Sequence, residues 1–522
     1  MALVAKTRPV LVVCGKITNE VLSFLVFCLL DILDLVLCYV YKVADFIMEA
    51  EWRPCYCSSA KGAITSGGGK ILVSERGESK VVSLSSSKLM LEEVSDTLYM
   101  RPSLVSEVSR STVKRLKLDN RATAVPFYSP SKVRRSGRST FTINSTIVEM
   151  LQGRVSVGRP VPQWSDCDCR HCTSWSSRGR KTLFIRAAGV KDKAREDVLF
   201  IHGFISSSQF WTETLFPNFS DSAKATYRFL AIDLLGFGRS PKPNDSLYTL
   251  REHLEMIEQS VLEPYKVNSF HIVAHSLGCI LALALAVKHP GSIKSLTLLA
   301  PPYYQVPKGA QATQYVMRRL APRRVWPPIA FGASLVCWYE HITRTACLVI
   351  CKNHRFWESL TKLVTRNSLR RFGDPEVFMM VNQWKIPSEQ LQVSEPLATR
   401  ADVEVVHKFL QLIYRIRTFL FDVFFSHTHN SAWHTLHNVI CGAAGKLDTY
   451  LDAVNDLLKC EVTIFHGKDD ELIPVECSYN VQRRIPRAHV KVIENKDHIT
   501  IVVGRQKAFA GELEEIWRRC SS

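Results

Sequence analysis

The residues that could do chemistry here are a serine, a pair of aspartates and a histidine, each close to the end of an apolar run. Ser276 sits in "FHIVAHSLGCILALALAVKHP" (270–290), where a strand-like stretch meets an alanine-rich helical one with only "HSLG" between them. A strand-to-helix turn this short forces its central residue into a strained backbone conformation, and bulky side chains two positions away would clash. Ala274 and Gly278 occupy those positions, and both are small. The pattern is G-x-S-x-G with Ala in the first place. A plain polar turn between core elements would read the same over five residues, so the context must decide.

A serine hydroxyl is a poor nucleophile near neutral pH and needs a base, and the base needs an anion to orient it and stabilise its charged form. The chain supplies both late in the sequence. One apolar run ends in "HGKDDELIP", with Asp469 and Asp470, and the next ends in "NKDHITIVV", with His498. Serine, then aspartate, then histidine is one of the chain orders in which acyl-transfer triads occur, and the spacing leaves Asp469 and Asp470 both open. In an open parallel sheet the carboxyl ends of all strands face one crevice, so residues this far apart in sequence can meet.

Such a sheet is what the flanking segments predict. From Thr182 onward, "TLFIRAAG", "DVLFIHG", "RFLAIDLLGFG", "FHIVAHS" and "SLTLLAPP" read as short strands, and "EVTIFHGKDD" and "AHVKVIENKDH" add two more. Helical stretches fill the gaps, among them "LREHLEMIEQSVLEPY" (250–265) and the closing "RQKAFAGELEEIWRR". The alternation predicts an α/β protein with a mostly parallel, doubly covered sheet. Residues 303–455 interrupt the rhythm with helix-rich, aromatic and basic sequence, as expected of a helical cap inserted into the core. The expected division is a hydrophobic segment (1–50), a partly disordered extension (51–175), the first part of the core (176–302), the cap (303–455) and the second part of the core (456–522). Within the extension, "SPSKVRRSGRST" (129–140) is polar, basic and expected to be disordered.

At the N-terminus, Lys6, Arg8 and Lys16 precede "VLSFLVFCLL" (21–30), the layout of a secretory signal or signal anchor. Asp31 and Asp34 follow, and each carboxylate would cost about 2.5–3.5 kcal/mol at the centre of a bilayer-spanning helix. An interfacial helix or a buried structural helix are the other readings of the segment. Cys55 and Cys57 are weak candidates for a lipid, and the sequons at Asn144, Asn218 and Asn244 would permit glycosylation after export. The formal net charge of +18 favours a polyanion or an anionic membrane as neighbour. Nucleic acid is excluded as the partner, because no zinc-finger spacing, RNA-binding aromatic signature or dominant basic block accompanies the charge.

Two cysteine and histidine clusters have residue types that could ligate a metal. "WSDCDCRHCTSW" (164–175) packs Cys167, Cys169, His171 and Cys172 together, but no second pair follows at a distance, so disulfides are expected there. His427, His429, His434 and His437 are expected on a polar face of cap helices, His202 in a structural turn, and His275 lining the turn at Ser276. No metal and no cofactor is expected. The sequence leaves the oligomeric state open.

Five ordered motifs, "LFIHGFISSSQFW", "AIDLLGFGRSPKP", "VAHSLG", "HGKDDELIP" and "KDHITIV", resemble those of the α/β-hydrolase superfamily and cover about residues 180–302 and 456–522. More closely, the chain resembles the plant BODYGUARD family throughout, including "EWRPCYC", "WSDCDCRHCTSW" and "SAWHTLHNVICG". The resemblance implies an α/β-hydrolase fold with a helical cap. Gly467, Asp470 and Pro474 match the superfamily's G-x-x-D-x-x-x-P acid motif, which selects Asp470 over Asp469. The implied catalytic residues are Ser276, Asp470 and His498, with the backbone N–H groups of Phe204 and Leu277 as the oxyanion hole.

Family members are described as extracellular lysophospholipase-type hydrolases of the epidermal cuticle. That implies a serine esterase acting on a lipid or hydroxyacyl ester, with the acyl chain under the cap near "VWPPIAFGASLVCWYEHI" (325–342). It also implies secretion to the cell wall, with retention at the membrane through the N-terminal segment as a variant. Serine at position 276 speaks against epoxide hydrolases and haloalkane dehalogenases, whose nucleophile is a carboxylate. A transacylase of cutin assembly and a non-catalytic receptor on the same fold are the alternatives. The H-x-x-x-x-D signature of acyltransferases is absent from His275 and His498, which favours water as the second substrate.

Overall fold

The computed structural model describes residues 2–49, 70–75, 78–83, 91–93, 163–167, 182–189, 196–243, 246–357, 359–360 and 426–521. The expectations for residues 129–140, for Cys55, Cys57, Cys169, His171 and Cys172, for Asn144 and Asn244, and for residues 361–425 of the cap lie outside these. The chain divides into two compact units, Met1–Trp164 with Val306–Arg344, and Ser165–Gln305 with Thr345–Ser522.

In the first unit, one helix runs over Ala2–Glu49, and strands β1 (Lys70–Glu75), β2 (Glu78–Ser83) and β3 (Leu91–Glu93) pair antiparallel in that order. Thr18–Met48 is long and apolar enough, by length and composition, to cross a membrane. Ser23, Asp34 and Asp45 are nevertheless buried. They stand eleven residues apart, close to three helical turns, and so form one polar stripe along an apolar helix. The stripe is answered by Val306–Arg344. Asp34 Oδ1 accepts from the backbone N–H groups of His341 (2.9 Å) and Ile342 (3.0 Å), which satisfies donors in the first turn of the helix Glu340–Ile350. Asp45 takes both arms of the Arg344 guanidinium (2.8 and 2.6 Å) and the indole N–H of Trp164 (2.7 Å). Ser23 Oγ accepts from Val325 N–H at 3.0 Å. The carboxylate that reads as a liability in the sequence is thus a buried and partnered group.

The second unit is built on a seven-stranded sheet: β4 (Ile185–Ala188), β5 (Glu196–Ile201), β6 (Tyr227–Ile232), β7 (Phe270–His275), β8 (Ile293–Leu299), β9 (Glu461–Gly467) and β10 (His489–Ile493). The strand order is β10-β9-β8-β7-β5-β6-β4, with every neighbouring pair parallel except β4 with β6. All six residues of the central β7 are buried, which is why its sequence is a continuous apolar run without alternation. The helix Leu277–Lys288 that follows is buried from Leu277 to Ala286, so it too lacks a polar face. Phe200, Phe219, Phe229 and Trp517 form an aromatic core, to which the C-terminal helix Gln506–Ser521 contributes the tryptophan.

Two details differ from the sequence reading. The helix expected over 250–265 starts at a capping box of Thr249 and Glu252, but after Ile257 it widens into a π-helical turn over Glu258–Leu262. His427, His429, His434 and His437 do not form a polar face: all four are buried. Their rings are absorbed by packing and local hydrogen bonds, as where His437 Nδ1 donates to Trp433 O at 2.8 Å.

Candidate active site

Ser276 lies between β7 and the helix Leu277–Lys288, with φ 52° and ψ −119°. This is a region that side-chain-bearing residues occupy only under constraint. The constraint is visible on both sides. Ala274 is fully buried in the sheet. A Cβ on Gly278 would lie 2.7 Å from Ile201 O and 2.8 Å from His202 O, so the end of β5 permits no larger residue there. A Cβ on Gly203 would come within 3.2 Å of Ser276 Cβ and 3.0 Å of His275 Nδ1. The loop after β5 therefore brings its backbone directly against the serine, with half-buried Phe204 next in the chain. Leu277 opens its helix, so its N–H has no acceptor within the helical ladder and is available to an anion.

Asp470 and His498 come from the ends of β9 and β10. A Cβ on Gly467, the last residue of β9, would sit 2.7 Å from Asp497 O, so the acid loop and the histidine loop are pressed together. Asp469 N–H donates to Lys496 O at 2.9 Å across the same junction. The side chain of Asp469 is exposed, whereas Asp470 is buried and its Oδ2 accepts from His498 Nδ1 at 2.6 Å. Its other oxygen accepts from the N–H groups of Leu472 (2.9 Å) and Ile473 (2.8 Å). Burial by itself would raise the Asp470 pKa, but the hydrogen bonds from His466, His498 and Ile473 outweigh it and hold the carboxyl well below its usual range. The anion persists at neutral pH. With Nδ1–H committed to that anion, the neutral His498 ring carries its lone pair on Nε2, the tautomer a general base requires.

Two residues act around this pair in ways the sequence did not reveal. His275, expected only to line the turn, donates from Nε2 to His498 O at 3.0 Å and stacks on Phe210 at 5.2 Å. It ties the histidine loop to the residue preceding Ser276. Burial pushes its pKa down to about 3, so it stays neutral. His466, within β9, is hydrogen-bonded to Ser478 Oγ (2.6 Å) and Ile473 O (2.8 Å) and lies 3.5 Å from Asp470 Oδ2. Neither role has a local sequence signal, because each depends on loops from different strands meeting. His202 has both nitrogens engaged, donating to Gly203 O (2.7 Å) and accepting from Leu234 N–H (2.9 Å), which pins the ends of β5 and β6. A hydroxyl nucleophile, an oriented imidazole, a buried carboxylate and free backbone donors are the components of acyl transfer.

The family described as "alpha/beta hydrolase fold" matches residues 198–326, and the sheet order and nucleophile turn define the chain as an α/β-hydrolase. The chain is 53% identical over 544 aligned residues to "Probable lysophospholipase BODYGUARD 3" of Arabidopsis thaliana, covering 99% of each. It is 54% identical over 514 residues to "Probable lysophospholipase BODYGUARD 1" of the same plant, covering 97% of each. The chain belongs to the BODYGUARD family. Among solved structures, an esterase from Exiguobacterium antarcticum aligns with a TM-score of 0.40 at 14% identity, over 65% of this chain and 96% of that one.

Proposed function

We propose that the protein is a serine esterase of lipid acyl esters. Ser276 Oγ attacks the acyl carbonyl and gives its proton to His498 Nε2, while Asp470 holds the ring and stabilises its positive charge. The N–H groups of Phe204 and Leu277 receive the carbonyl oxygen as it becomes an anion. His498 returns the proton to the leaving alcohol, and water repeats the sequence on the acyl-enzyme to release the fatty acid. The observation that carries the reading is the strained backbone of Ser276 at φ 52° and ψ −119°. Strain of this kind costs about 1–3 kcal/mol, and it lifts a hydroxyl out of the chain's path toward a reactant. A lysophospholipid substrate rests on the names of the relatives, and a hydroxyacyl ester of the plant cuticle only on what the family resemblance implies.

The N-terminal helix is, on this reading, a retained membrane anchor and not a signal that is cut away. Removing it would strip Asp45 from Arg344 and Asp34 from His341 and Ile342, and breaking one buried ion pair costs about 3–5 kcal/mol. Its outer face carries Leu29, Ile32, Tyr39 and Ile47 at 61–72% exposure, a surface suited to lipid and not to water. An anchored esterase would meet its substrate at the membrane from which cuticle lipids are exported.

The test is labelling of the full-length, detergent-purified chain with a fluorophosphonate probe, beside hydrolysis of a lysophospholipid. Ser276→Ala should abolish labelling and lower turnover by at least about three orders of magnitude, because only binding and oxyanion stabilisation remain. Turnover that survives the substitution would overturn the assignment.

A further inference from the structure

A second cluster of reactive side chains lies in the sheet-bearing unit and plays no part in the ester chemistry. Cys347 is on the helix Glu340–Ile350, and Cys351 follows one residue past its end, an i,i+4 pair that shares one face. Both Sγ atoms stand 3.8 Å from His427 Nε2, and the three ligand atoms all lie within 4.8 Å of one another. Tetrahedral zinc, with Zn–S near 2.3 Å and Zn–N near 2.0–2.1 Å, holds sulfur and nitrogen about 3.6 Å apart. The observed separations are within a few tenths of an ångström of that.

Two thiolates bring a divalent cation to zero net charge, an economical way to bury one. Cys351 and His427 are both buried.

We propose that Cys347, Cys351 and His427 form a structural zinc site. Binding would displace the two thiol protons and tie the helix Glu340–Ile350 to the segment that opens the helix His429–Thr435. Cys351 and His427 are 76 residues apart, so the metal would close a long loop and remove much of that loop's freedom from the unfolded chain. From the sequence no metal is expected: the clusters at Cys167–Cys172 and His427–His437 read as disulfides and as a polar helix face, and neither reading joins His427 to Cys347 and Cys351.

The experiment uses full-length protein from a eukaryotic secretory host, purified in detergent without a metal resin. Elemental analysis should find about one zinc per chain. The zinc should be retained in Ser276→Ala and lost in Cys347→Ser/Cys351→Ser. Chelator-stripped wild-type protein should take up one equivalent of cobalt(II), with the thiolate-to-cobalt charge-transfer band of a tetrahedral site. Wild-type protein that holds no zinc and binds no cobalt overturns the proposal, and so does a Cys347–Cys351 disulfide found by mass spectrometry. Both of those outcomes are read on the wild type, so they do not depend on the folding of a variant.

Discussion

Acid should destabilise this protein through histidines that do no chemistry. Burial pushes His253, His275 and His434 each down to about 3 from an ordinary value of 6.5. A ring with a depressed folded-state pKa takes up its proton only on unfolding, so between pH 6.5 and about 3 the unfolded chain binds more protons. Stability therefore falls as pH drops below the unfolded value and continues to fall until the folded value is reached. At about pH 5 the unfolded ring is protonated by roughly thirty to one while the folded ring stays neutral, which is worth roughly 2 kcal/mol per histidine. Three such rings approach roughly 6 kcal/mol, comparable to the whole stability of many domains, about 5–15 kcal/mol. His202 and His271 are lowered by burial too and act in the same direction.

Asp470 does not compensate over this range. Its depressed pKa gives stability that is complete above the ordinary carboxyl value of 3.8 and is lost only below it. The assay is urea unfolding of the full-length chain in detergent, followed by tryptophan fluorescence at about pH 7.5 and about pH 5. The midpoint should fall markedly at the lower pH, and in His253→Gln the difference between the two pH values should shrink, by less than one third because His202 and His271 contribute as well. Equal midpoints at both pH values, or an undiminished difference in His253→Gln, would show that these rings are not held neutral.

Asp470→Asn should lower kcat/KM by about three to four orders of magnitude, since it removes the anion that fixes the His498 tautomer, while Asp469→Asn on the exposed neighbour should change it no more than a few-fold. The reverse ranking would reassign the acid. The mature protein should retain residues 18–48 by intact-mass measurement and leave the membrane fraction with detergent but not with high salt. Asp45→Ala should lower the yield of folded protein by leaving Arg344 as a buried charge without its carboxylate, and a mature N-terminus beyond Asp45 would sink the retained-anchor reading.

The parts of this molecule that could be read from the sequence are those whose cause is local. Strands β5 to β9 announce themselves as apolar runs because both faces of the sheet are covered, and Ser276 stands out because the two residues flanking its turn must be small. What stayed hidden depends on contacts between distant segments. Asp34 reads as a costly charge because its partners, His341 and Ile342, lie about three hundred positions on. His427 and His429 read as surface histidines because Cys347 is 80 residues from His427, in a segment that looks like an ordinary apolar helix. Polar type suggests exposure for His429 and His437, and the packing around Trp433 overrides it. The antiparallel pairing of β4 with β6 likewise carries no mark in "TLFIRAAG" itself.

The arrangement around Asp470 and His498 also bears on how much a bare triad can explain. Three ties besides the hydrogen bond between them position the histidine loop. Gly467 lets the loop close against β9, Lys496 O accepts from Asp469 N–H, and His275 Nε2 holds His498 O. Each tie leads back to a strand end, and His275 belongs to the same strand that delivers Ser276. The imidazole is therefore held by the sheet, through the strand that also carries Ser276. Electrostatic catalysis depends on such preorganisation, because a group already in place needs no reorganisation as charge develops. On that argument the glycines at 203, 278 and 467 and the neutral ring of His275 belong to the proposed reaction as much as the three residues assigned to it. A chain with Ser276, Asp470 and His498 intact but any of these contacts altered would carry the motif without the geometry that makes it work.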